Sequence, residues 1–462
     1  MEKENDLAVK PIKSLVLSFA LPSIIALLVN SLYNIVDQIF IGNYSGFLGN
    51  AASSVPFPMF MFGMALASCI SEGGAAYFSL QLGAGHKKIA EKIVGNVILL
   101  LGSVSVVYAL ILTLFLPQLL SLFGATKEIL PLSLEYSYIM LFAMPFMLCG
   151  MGLNALVRAD GSPRYAMVSM LSGAAVNLIL DPIFIFVFDW GISGAAWATF
   201  IATFVSFVIS FLYLFRFKFL KLSFKSLKFS FPIVRKTILY GISNFIVSSA
   251  VTFMVILNNN GLKTLGAQSI YGSNIPLSAY ALTAKINQIL MAFLIGIGVS
   301  LQPIVGFNYG ARNYMRVKET FRYCIWAGVI VGFIFMSVVE VFPYFFVRLF
   351  GHGSELYYEF AIFCFRVVLL SPVFLSICVI SSNFFRAIGK PWMAVFVAGA
   401  RFTVFLFPTM YILFRFTNVK GFLFTSVITD SLGAMFSLWL IKQEMKKLNR
   451  LIKDEKKRKK IV

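Results

Sequence analysis

Apolar runs long enough to cross a lipid bilayer recur twelve times along this 462-residue chain. They fall at roughly 14–41, 51–82, 90–116, 132–154, 163–188, 192–216, 233–257, 279–309, 320–346, 357–383, 391–414 and 420–443. About 20 residues suffice for one crossing. Inside hydrocarbon no water is present to satisfy the backbone, so runs of this length must be helices. The expected class is an all-α polytopic membrane protein of twelve transmembrane helices. Only 13% of the residues are charged, too few for a soluble chain of this size. The first run is too long for a cleaved signal peptide and lacks a small-residue cleavage site.

Basic residues orient the helices. Of 39 Lys and Arg, only Lys127, Lys263, Arg348, Arg415 and Lys420 fall in loops on one side, and Lys285, Arg366 and Arg401 lie within spans. The rest lie on the side of the termini, so both termini are expected in the cytoplasm and the protein in the plasma membrane. The net charge of +20 is then juxtamembrane charge lying against anionic lipid, with no nucleic-acid partner implied. All five cysteines fall within the spans and the two histidines in loops. No metal-ligand spacing, nucleotide-binding motif or paired nucleophile and base is present, which argues against an enzyme and against a resident cofactor.

The chain repeats itself. LFG at 122–124 returns at 349–351, Pro145 returns as Pro372, and QLGAGHK (81–87) parallels NYGARNY (308–314), all at an offset of 227; NALVRADGSP (154–163) returns as SNFFRAIGKP (382–391), one residue further on. An offset of six spans preserves inside and outside, as in parallel repeats related by an axis along the membrane normal. The expected organisation is two pseudo-symmetric six-helix lobes, 1–222 and 223–462, joined by a basic inner loop, with a basic cytoplasmic tail at 443–462. Two such lobes facing each other would enclose a cavity for substrate, and one chain would suffice as a monomer.

The repeat fails where the first half carries buried acids. Asn177 and Asp181 stand four apart in NLILDPIFIF (177–186), on one helix face. Their equivalents in the second half are uncharged. Asp37, Asp181 and Thr199 each lie a few residues inside the outer end of a span, about 6–11 Å deep at the helical rise. Tyr33 shares the face of Asp37, and Pro182 frees a carbonyl one turn back. Two carboxylates, an amide, two hydroxyls and a carbonyl suit a Na⁺ ion, or a carboxylate pair that shares a proton. Glu72, in the inner half of the second span, is a candidate relay acid. The second half carries Lys285, Arg401 and Asp430 inside apolar spans. Arg401 and Asp430 are expected to neutralise each other, and Lys285 to snorkel or to face the cavity and favour anionic cargo.

These residues, with LPSIIALLVNSLYNIVDQIFIG, NALVRADGSP, AAVNLILDPIFIF, GISGAAWAT, LQPIVGFNYGA and FFRAIGKP, make the sequence resemble the multidrug and toxic compound extrusion (MATE) family over nearly its whole length. The resemblance implies the MATE fold and export of cationic or amphipathic drugs in exchange for Na⁺ or H⁺. In the branch that couples through the first lobe, the matching site residues are Tyr33, Asp37, Asn177, Asp181 and Thr199; Asn154 lies in a matching stretch further inward. The resemblance also implies a kink in the first helix at Pro22. The other branch places acids in the seventh and tenth helices, which here contain none. The expected function is a secondary multidrug antiporter working by alternating access. A lipid-linked oligosaccharide flippase of the same superfamily is the alternative.

Overall fold

The computed structural model describes residues 6–123, 125, 127–220, 227–350 and 354–459. Helices occupy all twelve expected spans, and no strand occurs among the described residues. Ten helices are individually long and apolar enough to cross a membrane, and a bent pair makes an eleventh. The chain is therefore an all-α polytopic membrane protein. In order, the helices are α1 (Asp6–Val9), α2 (Ile12–Ser54), α3 (Phe57–Gly83), α4 (Lys87–Leu114), α5 (Leu116–Leu122), α6 (Leu130–Ala159), α7 (Pro163–Pro182), α8 (Gly191–Leu212), α9 (Phe231–Ala267), α10 (Asn274–Gly310), α11 (Tyr314–Val341), α12 (Pro343–Phe350), α13 (Glu355–Val368), α14 (Pro372–Ala387), α15 (Pro391–Gly399), α16 (Leu406–Phe416), α17 (Val419–Phe422) and α18 (Phe424–Lys459). α18 runs on through most of the basic tail.

The internal repeat is visible in backbone geometry. Gly85 and Arg312, 227 residues apart, both adopt left-handed conformations, and so do Gly161 and Gly389. Each closes a helix in the same way. The amide after it donates five residues back, His86 to the carbonyl of Gln81 and Asn313 to that of Asn308; in the other pair Ser162 donates to Val157 and Lys390 to Phe385. This is the Schellman arrangement, which satisfies carbonyls a helix end would leave orphaned. Gly85 adopts the conformation freely, whereas Arg312 does so against the clash of its own Cβ. The short helices α5 and α12 repeat as well.

Three expectations change. The break placed at 42–50 is helical, because no proline interrupts the chain between Pro22 and Pro56 and glycines can remain in a helix whose backbone bonds are all internal. α2 thus continues through Pro22 for 43 residues. The tenth span is two helices, α13 and α14, bent by 44° at a break before Pro372. Proline cannot donate a backbone bond there and restricts the residue before it. Its repeat partner Pro145 sits inside the unbroken α6.

The chain divides into two compact units, Leu21–Phe245, and the residues up to Ala20 together with those from Ile246. The boundary therefore lies within α9, not at 222/223 in the basic loop. Packing supplies the reason. In the first unit Gly73 and Gly241 let α3 and α9 touch backbone to backbone: a Cβ on Gly241 would stand 1.7 Å from the carbonyl oxygen of Cys69. Small residues at a crossing permit this approach. Asn96 of α4 clasps the segment leading into α9, donating to the Lys228 carbonyl at 3.1 Å and accepting from the Ser230 amide at 2.7 Å. In the second unit Asn308 and Arg316 donate to the Leu7 carbonyl at 3.0 and 3.3 Å, tying α1 to α10 and α11.

Candidate functional site

The acidic site of the first unit is assembled from α2, α6, α7 and α8. Asn177 and Asp181 share one face of α7 and are almost wholly buried, at 1% exposure each. The Asn177 amide donates to Asp181 Oδ1 at 3.0 Å and to Thr199 Oγ1 of α8 at 3.3 Å. It therefore spans the helix pair and holds one carboxylate oxygen in place. Asp37 of α2, also buried, lies close enough to Asp181 for the two carboxylates to interact directly. Asp181 Oδ2 is sealed from solvent and takes no hydrogen bond from a donor among the described residues. Tyr33 of α2 stands half-buried within the same electrostatic neighbourhood.

Sequence reasoning missed one member. Tyr136 of α6 is 8% exposed and lies within electrostatic reach of Asp37, Tyr33 and Asp181. It brings a phenol to two carboxylates from α6, a helix outside the acidic pattern of α2 and α7. Its neighbours Ser133 and Ser137, both fully buried, were the available hint that this face of α6 turns inward. No Lys or Arg is among the groups acting on Asp181 or Tyr136 in the structure.

The local backbone departs from regular helix just past the site. Pro182 ends α7, and Ile183–Val187 forms a π-helical turn in which the Phe188 amide reaches back five residues to Ile183 at 2.9 Å. Such turns arise where an extra residue is accommodated in a helix, frequently at functional sites. Beyond it Asp189 adopts a left-handed conformation and accepts a hydrogen bond from the Tyr44 hydroxyl of α2. The two helices carrying the acids are thereby joined again at their ends.

Asn154 does not belong to this group. It is 18 residues from Tyr136 along α6, about 27 Å at the helical rise. Its amide donates to the Ala166 carbonyl at 3.0 Å, its oxygen accepts from Arg158 at 2.9 Å, and Arg158 in turn pairs with Glu72 at 3.0 Å. Asn154 and Glu72 are thus parts of a buried bracket joining α3, α6 and α7.

The second unit has a different polar centre. Arg401 Nε lies 2.6 Å from Asp430 Oδ1, with both side chains largely buried. The guanidinium sits over the Phe402 ring at 4.7 Å. A π-helical turn, Ala400–Phe405, begins beside Arg401. Lys285 is exposed on α10 and makes no ion pair among the described residues.

Comparison with known proteins agrees with this architecture. The MatE family profile matches twice, at residues 22–183 and 250–412, once in each half of the repeat. The chain is 26% identical to the multidrug export protein MepA of Staphylococcus haemolyticus over 434 residues, 92% of each chain. It is 25% identical to the same-named protein of Staphylococcus aureus, over 93% of this chain and 94% of that one. Among solved structures it superposes on a MOP superfamily transporter from Pyrococcus furiosus, described as having a binding pocket of reversed polarity, with a TM-score of 0.90 at 21% identity, covering 97% of this chain and all of that one. An outward-facing multidrug resistance MATE transporter matches with the same TM-score and identity, over 97% of this chain and 99% of that one.

Proposed function

The chain belongs to the MatE family, and from that premise we propose that it is a secondary antiporter of the plasma membrane, exporting amphipathic or cationic drugs in exchange for Na⁺ or H⁺ bound at Asp37 and Asp181. The observation that carries the proposal is the pairing of two buried carboxylates, with no basic side chain among the groups acting on Asp181 and with Asp181 Oδ2 lacking a donor among the described residues. Two unit charges 4 Å apart repel by about 4 kcal/mol even at an effective dielectric of 20. A shared proton or a bound cation removes that repulsion, and an intramembrane acid left without either is costly.

Each residue has a defined task. Asn177 fixes Asp181 through Oδ1 and leaves Oδ2 without a donor among the described residues. Thr199, Tyr136 and Tyr33 supply hydroxyl oxygens around the ion. When the ion leaves, the carboxylates push α2 and α7 apart, and the π-helical turn after Pro182 and the proline at position 22 of α2 are the places where these helices can yield. An ion drives the cycle only through its different affinity for the states open to either side. The export of many drugs by the MepA relatives supports the substrate class.

The test is ethidium efflux from proteoliposomes under an imposed Na⁺ gradient and then an imposed pH gradient, with wild type beside Asp181→Asn. Efflux driven by one gradient and abolished by the substitution is expected, and it names the ion. Gradient-driven efflux that survives in Asp181→Asn would refute the assignment of the site.

A further inference from the structure

The polar centre of the second unit, at the crossing of α15 and its π-helical turn with α18, answers to a particular crossing in the first. At the repeat offset of 227–228, Arg401 corresponds to Gly173, Asp430 to Ala202 or Thr203, Gly433 to Ser206 and Ser426 to Thr199. In the first unit Gly173 lets α7 lie directly on α8: a Cβ there would meet the Ala202 carbonyl oxygen at 2.9 Å and Ser206 Cβ at 3.1 Å. In the second unit the small residue has changed sides. Gly433 of α18 faces Arg401, and a Cβ on it would stand 3.4 Å from both Cβ and Cγ of Arg401. The crossing is built to admit an arginine where the first unit has room for none.

What the arginine meets resembles the first-unit site. The Asp430 carboxylate is 3% exposed and Ser426, one turn away on the same face, 7%. Tyr280 of α10 interacts with Ser426, Asp430 and Arg401. Cys378 of α14 approaches the Asp430 backbone carbonyl at 3.9 Å. One carboxylate and two hydroxyls surround a cationic group. In the first unit, among the described residues, no Lys or Arg is one of the groups acting on Asp181 or Tyr136. The positions answering to Asp37, Asn177 and Asp181 are Thr264, Phe405 and either Pro408 or Thr409, none of them charged.

We infer that Arg401 is a tethered counter-cation: it holds permanently at Asp430 the place that the exchanged ion fills at Asp37 and Asp181, and so confines ion coupling to the first unit. Removing its charge while keeping Asp430 turns the second unit into an additional site for a small monovalent cation or a proton, bounded by Asp430, Ser426 and Tyr280. The confinement of coupling rests on the function proposed for the first-unit site; the latent site at Asp430 does not. The groups facing Asp430 that titrate or carry charge are Arg401, Tyr280 and Cys378.

The test measures ²²Na⁺ binding and, with a pH indicator, proton uptake by the purified protein. Wild type, Arg401→Met and Arg401→Met/Asp430→Leu are each prepared with and without Asp181→Asn. Arg401→Met is expected to take up about one more ion per chain than its parent, in both backgrounds. The double variant should return to the parental count and keep ion-driven efflux in reconstituted vesicles. Well-folded Arg401→Met protein that gains no ion would overturn the inference, and so would loss of ion-driven efflux in the double variant. If Arg401→Met fails to fold, Arg401→Gln takes its place, because it removes the charge and keeps a donor for Asp430. Absence of an Asp181-dependent ion in the wild type would overturn the function proposed above, while the gain in Arg401→Met would still be read by difference.

Discussion

Two asparagines match the family's pattern, and the structure gives them different partners. Replacing Asn177 by Ala removes the donor to Asp181 Oδ1 at 3.0 Å and the contact to Thr199 at 3.3 Å. A hydrogen bond to a charged group contributes about 1.5–3 kcal/mol. If that bond is what orients Asp181 toward the ion, its loss weakens apparent ion affinity by roughly 10- to 150-fold, at about 1.4 kcal/mol per factor of ten. Replacing Asn154 by Ala removes a bond to the Ala166 carbonyl and one acceptor from Arg158. That loosens the α6–α7 bracket and lowers thermal stability. About 27 Å of helix separates it from the depth of Tyr136, so ion affinity should stay within about twofold of wild type. The assay is drug efflux rate against the concentration of the driving ion at fixed drug, with a thermal melt of each variant. Equal weakening of ion affinity by the two substitutions would refute the reasoning, and so would unchanged affinity in Asn177→Ala.

Two further outcomes follow from packing and charge. Gly241→Ala sets a methyl 1.7 Å from the Cys69 carbonyl oxygen, so α3 and α9 must separate; a loss of at least 1–3 kcal/mol is expected in denaturation, and an unchanged melt would mean that the two helices do not cross there. Asp160, in the turn between α6 and α7, is fully buried, and burial raises its carboxyl to about 6 although the Lys218 amide and the Tyr213 hydroxyl both donate to it. A raised acid holds its proton more tightly in the folded chain, so its stabilisation is complete below the ordinary value near 3.8 and is lost as pH rises through about 6. Wild type should therefore gain melting temperature relative to Asp160→Asn between pH 7.5 and pH 5, by the equivalent of about 1–1.5 kcal/mol; parallel curves would contradict the assignment.

Much of this protein is decided locally, and that part was legible in the sequence. An apolar run in lipid has one way to satisfy its backbone, so twelve runs imply helices whatever their neighbours are. Asn177 and Asp181 share a face because four residues make about one turn, and their hydrogen bond follows. The matched helix ends at Gly85 and Arg312 follow from a repeated local motif. The tertiary structure decided what depends on how helices rotate and cross. Tyr136 reaches Asp37 and Asp181 because α6 turns that face inward. Asn154 carries the same side chain as Asn177 and is spent on a bracket, because its neighbours there are Arg158 and Ala166. Pro145 stays within a helix while Pro372 begins one. The chain passes between its units inside α9 and not in the basic loop, because Gly73 and Gly241 admit a contact that composition alone does not reveal. A helix's own bonds span four residues and can be read along the chain; the partner it meets is set by side-chain shape at a crossing, which only the folded molecule brings together.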